Sequence, residues 1–172
     1  MGQYWKLVNL DKMEFVHPHK LGNGLKLLEM AWPGAPGIGT AMILLMANRG
    51  GEKRGGGDPR HGALVLGHWA GDRVMLVGDY AEDSDGPPIN GIERSWMYKL
   101  CIPEGGLAER IESLREWADR HPTLSNQRLI TYLERGGAIF RDTSDDIAAA
   151  IEQEFDGKYV GDGWRDWEEG AR

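Results

Sequence analysis

The sequence predicts an α+β fold: a single compact domain with a mainly antiparallel sheet built from hairpins, and with helices packed on it. Extended runs occur in pairs around short polar turns, which favours hairpins over the β-α-β order of parallel sheets. Helical periodicity dominates the last third of the chain. A length of 172 residues is usual for one domain, so residues 1–172 are assigned to a single unit.

The first third predicts a hairpin followed by two helices. "YWKLVNL" and "EFVHP" flank an Asp-Lys turn, and Pro18 closes the second strand. "GLKLLEMAW" predicts a short helix. "GIGTAMILLMANRGG" predicts a core helix that ends at Gly50, because this run is apolar nearly all round and glycine often follows a helix.

The central third predicts a long loop and three strands. Residues 49–61 are rich in glycine and arginine, and loops of this length are often functional. "ALVLGHW" and "RVMLVGDY" predict a second hairpin, in which Arg73 and Asp79 share a face and are expected to form an ion pair. "SWMYKLCI" alternates polar and apolar residues and predicts a strand.

The last third predicts three helices and one short strand. "GLAERIESLREWADRH" and "NQRLITYLER" have helical spacing, and Gly136 ends the second helix. "AIF" predicts the strand. Thr143 then precedes "SDDIAAAIEQEF", where early acidic residues favour a helix N-terminus.

The net charge of −7 is concentrated at one end of the chain. Residues 142–172 hold ten acidic and three basic residues, which accounts for the whole net charge. Phosphate backbones repel such a surface, so we expect no nucleic-acid binding. The acidic tail from about residue 156 contains Trp164 and Trp167, which we expect to dock it onto the body.

Composition also predicts a soluble, cytoplasmic protein. The longest near-apolar run, residues 37–48, is far shorter than the roughly 20 residues that cross a membrane. The first ten residues lack the basic-then-apolar pattern of a signal peptide. Cys101 is the one cysteine and cannot form a disulfide within the chain. The oligomeric state is left open.

Three common ligand motifs fail, and no cofactor is predicted. The phosphate-loop spacing at Gly50 to Gly55 is followed by Gly56 where the motif needs lysine. Each dinucleotide-type glycine pattern breaks at its last glycine. A calcium loop around Asp83 and Asp85 lacks its first and last ligands.

His17 and His19 are the best candidates for metal binding or acid-base catalysis. Pro18 keeps the backbone between them extended, so their side chains point to the same side. Two imidazoles can begin a metal site, but no spacing rule selects a third ligand, so no metal site is predicted. Asp72 and Asp79 are the candidate carboxylate partners for catalysis.

The leading prediction is a binding or interaction domain. Its cleft would be formed by the 17–20 turn, the 49–61 loop and the 69–80 hairpin, and its ligand would be a protein partner or an anionic small molecule. The candidate ligand-binding residues are Arg54, Arg60, Trp69 and Arg73. The alternative is a small metal-dependent or hydrolase-like enzyme that acts on an anionic small molecule through His17 and His19.

Two stretches also resemble a group of small bacterial and fungal hypothetical proteins. These are "MGQYWKLVNLDK…FVHPHKLGNGLKLLE" and "GHWAGDRVMLVGDY", about a quarter of the chain. The resemblance implies that "HPHK" and "WAGDR" belong to one family pattern. It implies no activity, cofactor or catalytic residue.

Overall fold

The computed structural model describes residues 2–31, 37–48, 66–102 and 107–155, with the side chains of 107 and 153–155 excepted. Its strands form one mixed sheet in the order β3-β1-β2-β4. The strands are β1 (Trp5–Asn9), β2 (Glu14–Val16), β3 (Val74–Gly78) and β4 (Arg141–Asp142). β1 pairs antiparallel with β2 and with β3, and β2 pairs parallel with β4.

Helices cover both faces of this sheet. They are α1 (Leu27–Met30), α2 (Ile38–Met46), α3 (Arg94–Met97), α4 (Leu107–Arg120), α5 (Leu124–Glu134) and α6 (Ser144–Phe155), and a 3-10 turn spans Pro18–Leu21. None of the helices in the described part of the chain is long and apolar enough to cross a membrane.

Alternation along β1 divides the buried residues into two cores. Leu7 faces the first core, which also contains Leu45 of α2 and Ile147 of α6. Val8 faces the second core, which contains Trp96 of α3 and Leu129 of α5. Residues that alternate along a strand point to opposite faces, so each helical layer meets its own side of the sheet.

The structure confirms the α+β class and several elements. The hairpin of β1 and β2 forms, with Leu7 opposite Val16. The two helical runs of the last third become α4 and α5, and α6 begins directly after Thr143. The predicted strand "AIF" is wrong by a few residues, because β4 forms at Arg141–Asp142, where Arg141 pairs with Glu14.

The predicted end of α2 at Gly50 is wrong. The helix ends at Met46, and Ala47 is extended. The last carbonyls of the helix find partners elsewhere, since Leu44 O accepts from Gly67 N at 2.7 Å and Leu45 O accepts from Trp69 N at 2.8 Å. Tertiary contacts therefore satisfy the helix end before a glycine is reached.

The strand predicted for "ALVLGHW", the first of the second hairpin, is also wrong for the part of this stretch that the structure describes. Residues 66–71 form turns, whose N–H groups bond to α2, and the strand β3 pairs with β1. Residues 61–65 lie outside the described residues.

The strand predicted for "SWMYKLCI" is wrong, because this stretch forms α3 and a following turn. The buried residues are Trp96, Met97, Leu100 and Cys101. Their spacing is that of one helical face, and the polar-apolar alternation was coincidental.

Candidate functional site

A surface groove lies along α5, on the side of the sheet that α3 covers. Its volume is about 410 Å³, which is within the range of ligand sites. Its lining residues are Gly91, Trp96, Arg128, Thr131, Tyr132, Arg135, Gly136 and Gly137. The α5 residues are spaced by three or four positions, so they share one face of the helix.

Two arginines give this groove its charge. Arg128 forms an ion pair with Glu93, whose side chain is 12% exposed. The Arg135 side chain is exposed and makes no hydrogen bond or ion pair with the described residues. Since Glu93 offsets Arg128, the groove keeps one uncompensated positive charge, on Arg135.

Two aromatic rings form the floor of the groove and hold Arg128 in place. The Trp96 and Tyr132 rings lie 5.6 Å apart, and the guanidinium of Arg128 lies 5.7 Å from the Trp96 ring. The Trp96 indole N–H donates to Ser125 Oγ over 2.9 Å, and the Tyr132 hydroxyl donates to Ala138 O over 3.1 Å. Burial raises the pKa of Tyr132, so its hydroxyl stays protonated.

This groove was not among the sites predicted from the sequence. Arg128, Tyr132 and Arg135 lie at i, i+4 and i+7 of a predicted helix, and this spacing places a cationic and aromatic stripe on one face. That signal was present in the sequence. The contribution of Trp96 could not be found, because "SWMYKLCI" was assigned to a strand.

The two candidate histidines lie together where β2 ends. Their ring centroids are 5.4 Å apart. The backbone N–H of His17 donates to Ser144 Oγ over 2.7 Å. Burial, together with the positive charges of Lys6 and His19, lowers the pKa of His17 and favours its neutral ring.

Two charged residues that were not predicted as site residues, Lys6 and Asp142, also act on His17. Lys6 and His17 directly adjoin the Leu7–Val16 pair of β1 and β2, and Asp142 of β4 pairs with Phe15. Asp142 Oδ1 accepts from Ser144 N over 2.9 Å, while Lys20 Nζ lies 3.1 Å from Oδ2 without hydrogen-bond alignment. Among the described residues, His17 Nδ1 and Asp142 Oδ2 are the buried side-chain atoms without a hydrogen bond.

Asp72 and Arg73 lie directly before β3, beside the turn that joins β1 to β2 and away from the end of β2 that the histidines follow. Asp72 Oδ2 accepts from Asn9 Nδ2 over 2.7 Å and forms an ion pair with Lys12. The hydrogen bonds from Lys12 and Asn9 lower the pKa of Asp72. Arg73 donates to Asp11 through Nε at 2.8 Å and Nη2 at 2.5 Å. The structure therefore does not bring Asp72 or Arg73 to the two histidines.

Asp79 does not pair with Arg73, so the predicted ion pair is wrong. Asp79 Oδ1 accepts from the backbone N–H of Tyr4 over 2.9 Å at the start of β1. Arg73 is engaged by Asp11 instead, because the β1–β2 turn places that carboxylate beside it.

Trp69 is a core residue that is 1% exposed. Its indole N–H donates to Glu14 Oε2 over 2.8 Å. The same oxygen lies 2.9 Å from His68 Nε2, and Glu14 Oε1 accepts from Arg141 at 2.5 Å. We call these four residues, Glu14, His68, Trp69 and Arg141, the Glu14 cluster.

No group of three or more His, Cys, Asp or Glu side chains in the described ranges is arranged to hold a metal ion. His17 and His19 therefore have no third ligand among those residues. Arg54, Arg60 and the rest of the 49–61 loop lie outside the described residues, as do Trp164 and Trp167.

Comparison of the chain with protein families, with curated proteins and with solved structures found no match.

Proposed function

We propose that this chain is a binding domain whose groove along α5 takes an acidic peptide segment of a partner protein. The observation that carries the proposal is the groove itself, with Arg128 and Arg135 placed on one helix face over the Trp96–Tyr132 pair. Arginine is well suited to this role because its planar group binds carboxylates through paired hydrogen bonds.

The form of the groove favours a peptide over an enclosed small molecule. Its rim consists of exposed side chains, with Arg128 53% exposed and Thr131 and Arg135 exposed as well. Arg128 is already held by Glu93 and Trp96, so it loses little side-chain freedom when a ligand binds. Arginine-lined surfaces that read acidic motifs are a recurring mode of peptide recognition.

The proposal includes a cytoplasmic location. Cys101 is buried and hydrogen-bonded through Sγ to Met97 O, and burial raises the pKa of its thiol. A buried thiol of this kind is unreactive, and it is compatible with a reducing compartment.

The test measures fluorescence anisotropy of two labelled peptides, one rich in Asp and Glu with a single Phe, and one with Asn and Gln in place of the acids. The acidic peptide should bind more tightly, and its affinity should fall as salt is added. Arg135→Gln should weaken binding by a factor of about 5 to 10, the loss of one charge-assisted contact on an exposed surface.

Arg120→Gln is the matched control, since Arg120 is an exposed arginine at the end of α4 that does not line the groove. It should leave the affinity unchanged. Equal binding of both peptides, or an equal loss in the two arginine variants, would contradict the proposal.

A further inference from the structure

On the face of the sheet opposite the groove, the Glu14 carboxylate binds the side chains of one histidine and one arginine. His68 binds one carboxylate oxygen and Arg141 binds the other. The Glu14 side chain is only 7% exposed, and the Trp69 indole N–H holds it from inside the core. The carboxylate is therefore a fixed anchor with both oxygens engaged.

These contacts decide which nitrogen of His68 carries the proton. Burial raises the pKa of Glu14, but hydrogen bonds from Arg141 and Trp69 and the charges of His68 and Arg141 outweigh it, so the pKa lies below its ordinary value. An ionised carboxylate only accepts hydrogen bonds, so Nε2 of His68 is the donor. In the neutral ring, Nδ1 then keeps a free lone pair.

The backbone that carries His68 is anchored. Gly67 N and Trp69 N donate to the last carbonyls of α2 over 2.7 and 2.8 Å. Gly67 has a φ of +72°, and its backbone passes close to Ala47 O. The imidazole is thus preorganised at both its backbone and its Nε2, as a general base requires.

The His68 imidazole and the Arg141 guanidinium are both open to solvent. The His68 side chain is 36% exposed and that of Arg141 is 61% exposed. The second arginine nitrogen, Nη1, lies 3.7 Å from the exposed Asp146, too far for a hydrogen bond. The base and the cation that this one carboxylate holds are therefore both open to solvent.

We propose that His68 is a general base for the hydrolysis of small carboxylic esters, with Arg141 stabilising the oxyanion and Glu14 as a positioning residue. Water oxygen bonds to the carbonyl carbon while His68 Nδ1 takes a water proton. The carbonyl oxygen becomes an oxyanion next to Arg141. The bond to the alcohol oxygen then breaks, and His68 returns its proton to that oxygen, which yields the acid and the alcohol.

The test uses the full chain with p-nitrophenyl acetate and follows release of p-nitrophenolate. His68→Asn should lower the rate above buffer by about 10-fold or more, since a positioned base contributes at least this much. Glu14→Gln should lower kcat and leave KM nearly unchanged, because it disturbs the His68 ring and Arg141, which act on the transition state, and removes no contact with the bound ester. A normal solvent deuterium isotope effect is expected, and mass spectrometry should find no acetylated His68.

His121→Asn is the matched control, because His121 is exposed and its ring stacks 5.1 Å from Trp117. It should hydrolyse the ester at the wild-type rate. Full activity of His68→Asn, or the same loss in His121→Asn, overturns the proposal. Circular dichroism shows whether Glu14→Gln is folded; if it is not, the surface variant His68→Asn decides alone.

Discussion

Lys6 is a charged residue inside the sheet, and its contacts explain how it is tolerated there. It is 5% exposed, and its ammonium donates to Cys101 O and lies 4.2 Å from the Tyr98 ring centroid. The alternation of side chains along β1 places Lys6 on the same face as Val8, but it does not predict that Lys6 is buried. Its partner is 95 positions away, so local sequence could not identify the contact.

The unfolding free energy should therefore depend on Lys6 at alkaline pH. Burial lowers the pKa of Lys6 below 10.5, while the unfolded chain keeps a value near 10.5. Between these two values the unfolded chain binds more protons, so stability rises with pH through this window. In urea titrations from pH 7 to 10.5, the change of unfolding free energy with pH should be less positive in Lys6→Met than in the wild type.

Lys26→Met is the control for this experiment, because the Lys26 side chain is 53% exposed. It should keep the wild-type slope. Other groups titrate in the same window: the lowered pKa of Lys99 adds to the rise, and the raised pKa values of Cys101 and Tyr98 oppose it, so the difference in slope between variants is what reports on Lys6. Identical slopes in Lys6→Met and Lys26→Met would show that burial of Lys6 does not shape the pH dependence.

Among the secondary-structure elements, the long helices were predicted from their sequence pattern, and the shortest helix was not. α4 and α5 extend over several turns, and both were predicted. α3 has four residues, too few to separate a helical pattern from alternation. The end of α2 depends on N–H groups of Gly67 and Trp69, which are remote in sequence.

The turn at Gly67 is the element that joins α2 to the Glu14 cluster, and it requires glycine. A Cβ at Gly67 would lie 2.6 Å from Ala47 O, and φ is +72°. Gly67→Ala should therefore lower the unfolding free energy by about 2 to 3 kcal/mol, from the left-handed backbone and the clash together. Equilibrium urea denaturation measures this change.

Gly71→Ala provides the comparison, because Gly71 has a φ of +87° with nothing within 4 Å of the added Cβ. It should lose only about 1 kcal/mol, the backbone cost alone. Equal losses at the two glycines would mean that the contact with Ala47 O is not a constraint on this turn.

For the whole molecule, the fold class could be predicted from the sequence, but the contacts between residues remote in sequence could not. The α+β class followed from pattern and composition, which depend on local sequence. The predicted cleft needed His17 and Arg73 to meet, but His17 follows the end of β2, while Arg73 bonds to Asp11 in the turn before the start of β2. The Glu14 cluster unites residues 14, 68, 69 and 141. The parallel pairing of β2 with β4 brings in Arg141, and the turn bonded to α2 brings in His68 and Trp69.

The two proposed sites therefore lie on opposite faces of the sheet. The groove opens at the surface of the core that contains Trp96 and Leu129. The Glu14 cluster borders the other core, which contains Trp69. Loss of one site should leave the other intact, because each depends on a different helical layer.

A titration of the ¹⁵N-labelled full chain with the acidic peptide, followed by amide chemical shifts, tests the binding proposal most directly. We expect the shifting amides to cluster at Gly91, Trp96 and residues 128–137, which line or adjoin the groove. Shifts that instead centre on His17 and His19, or that spread evenly over the chain, would contradict the assignment of the groove as the binding site.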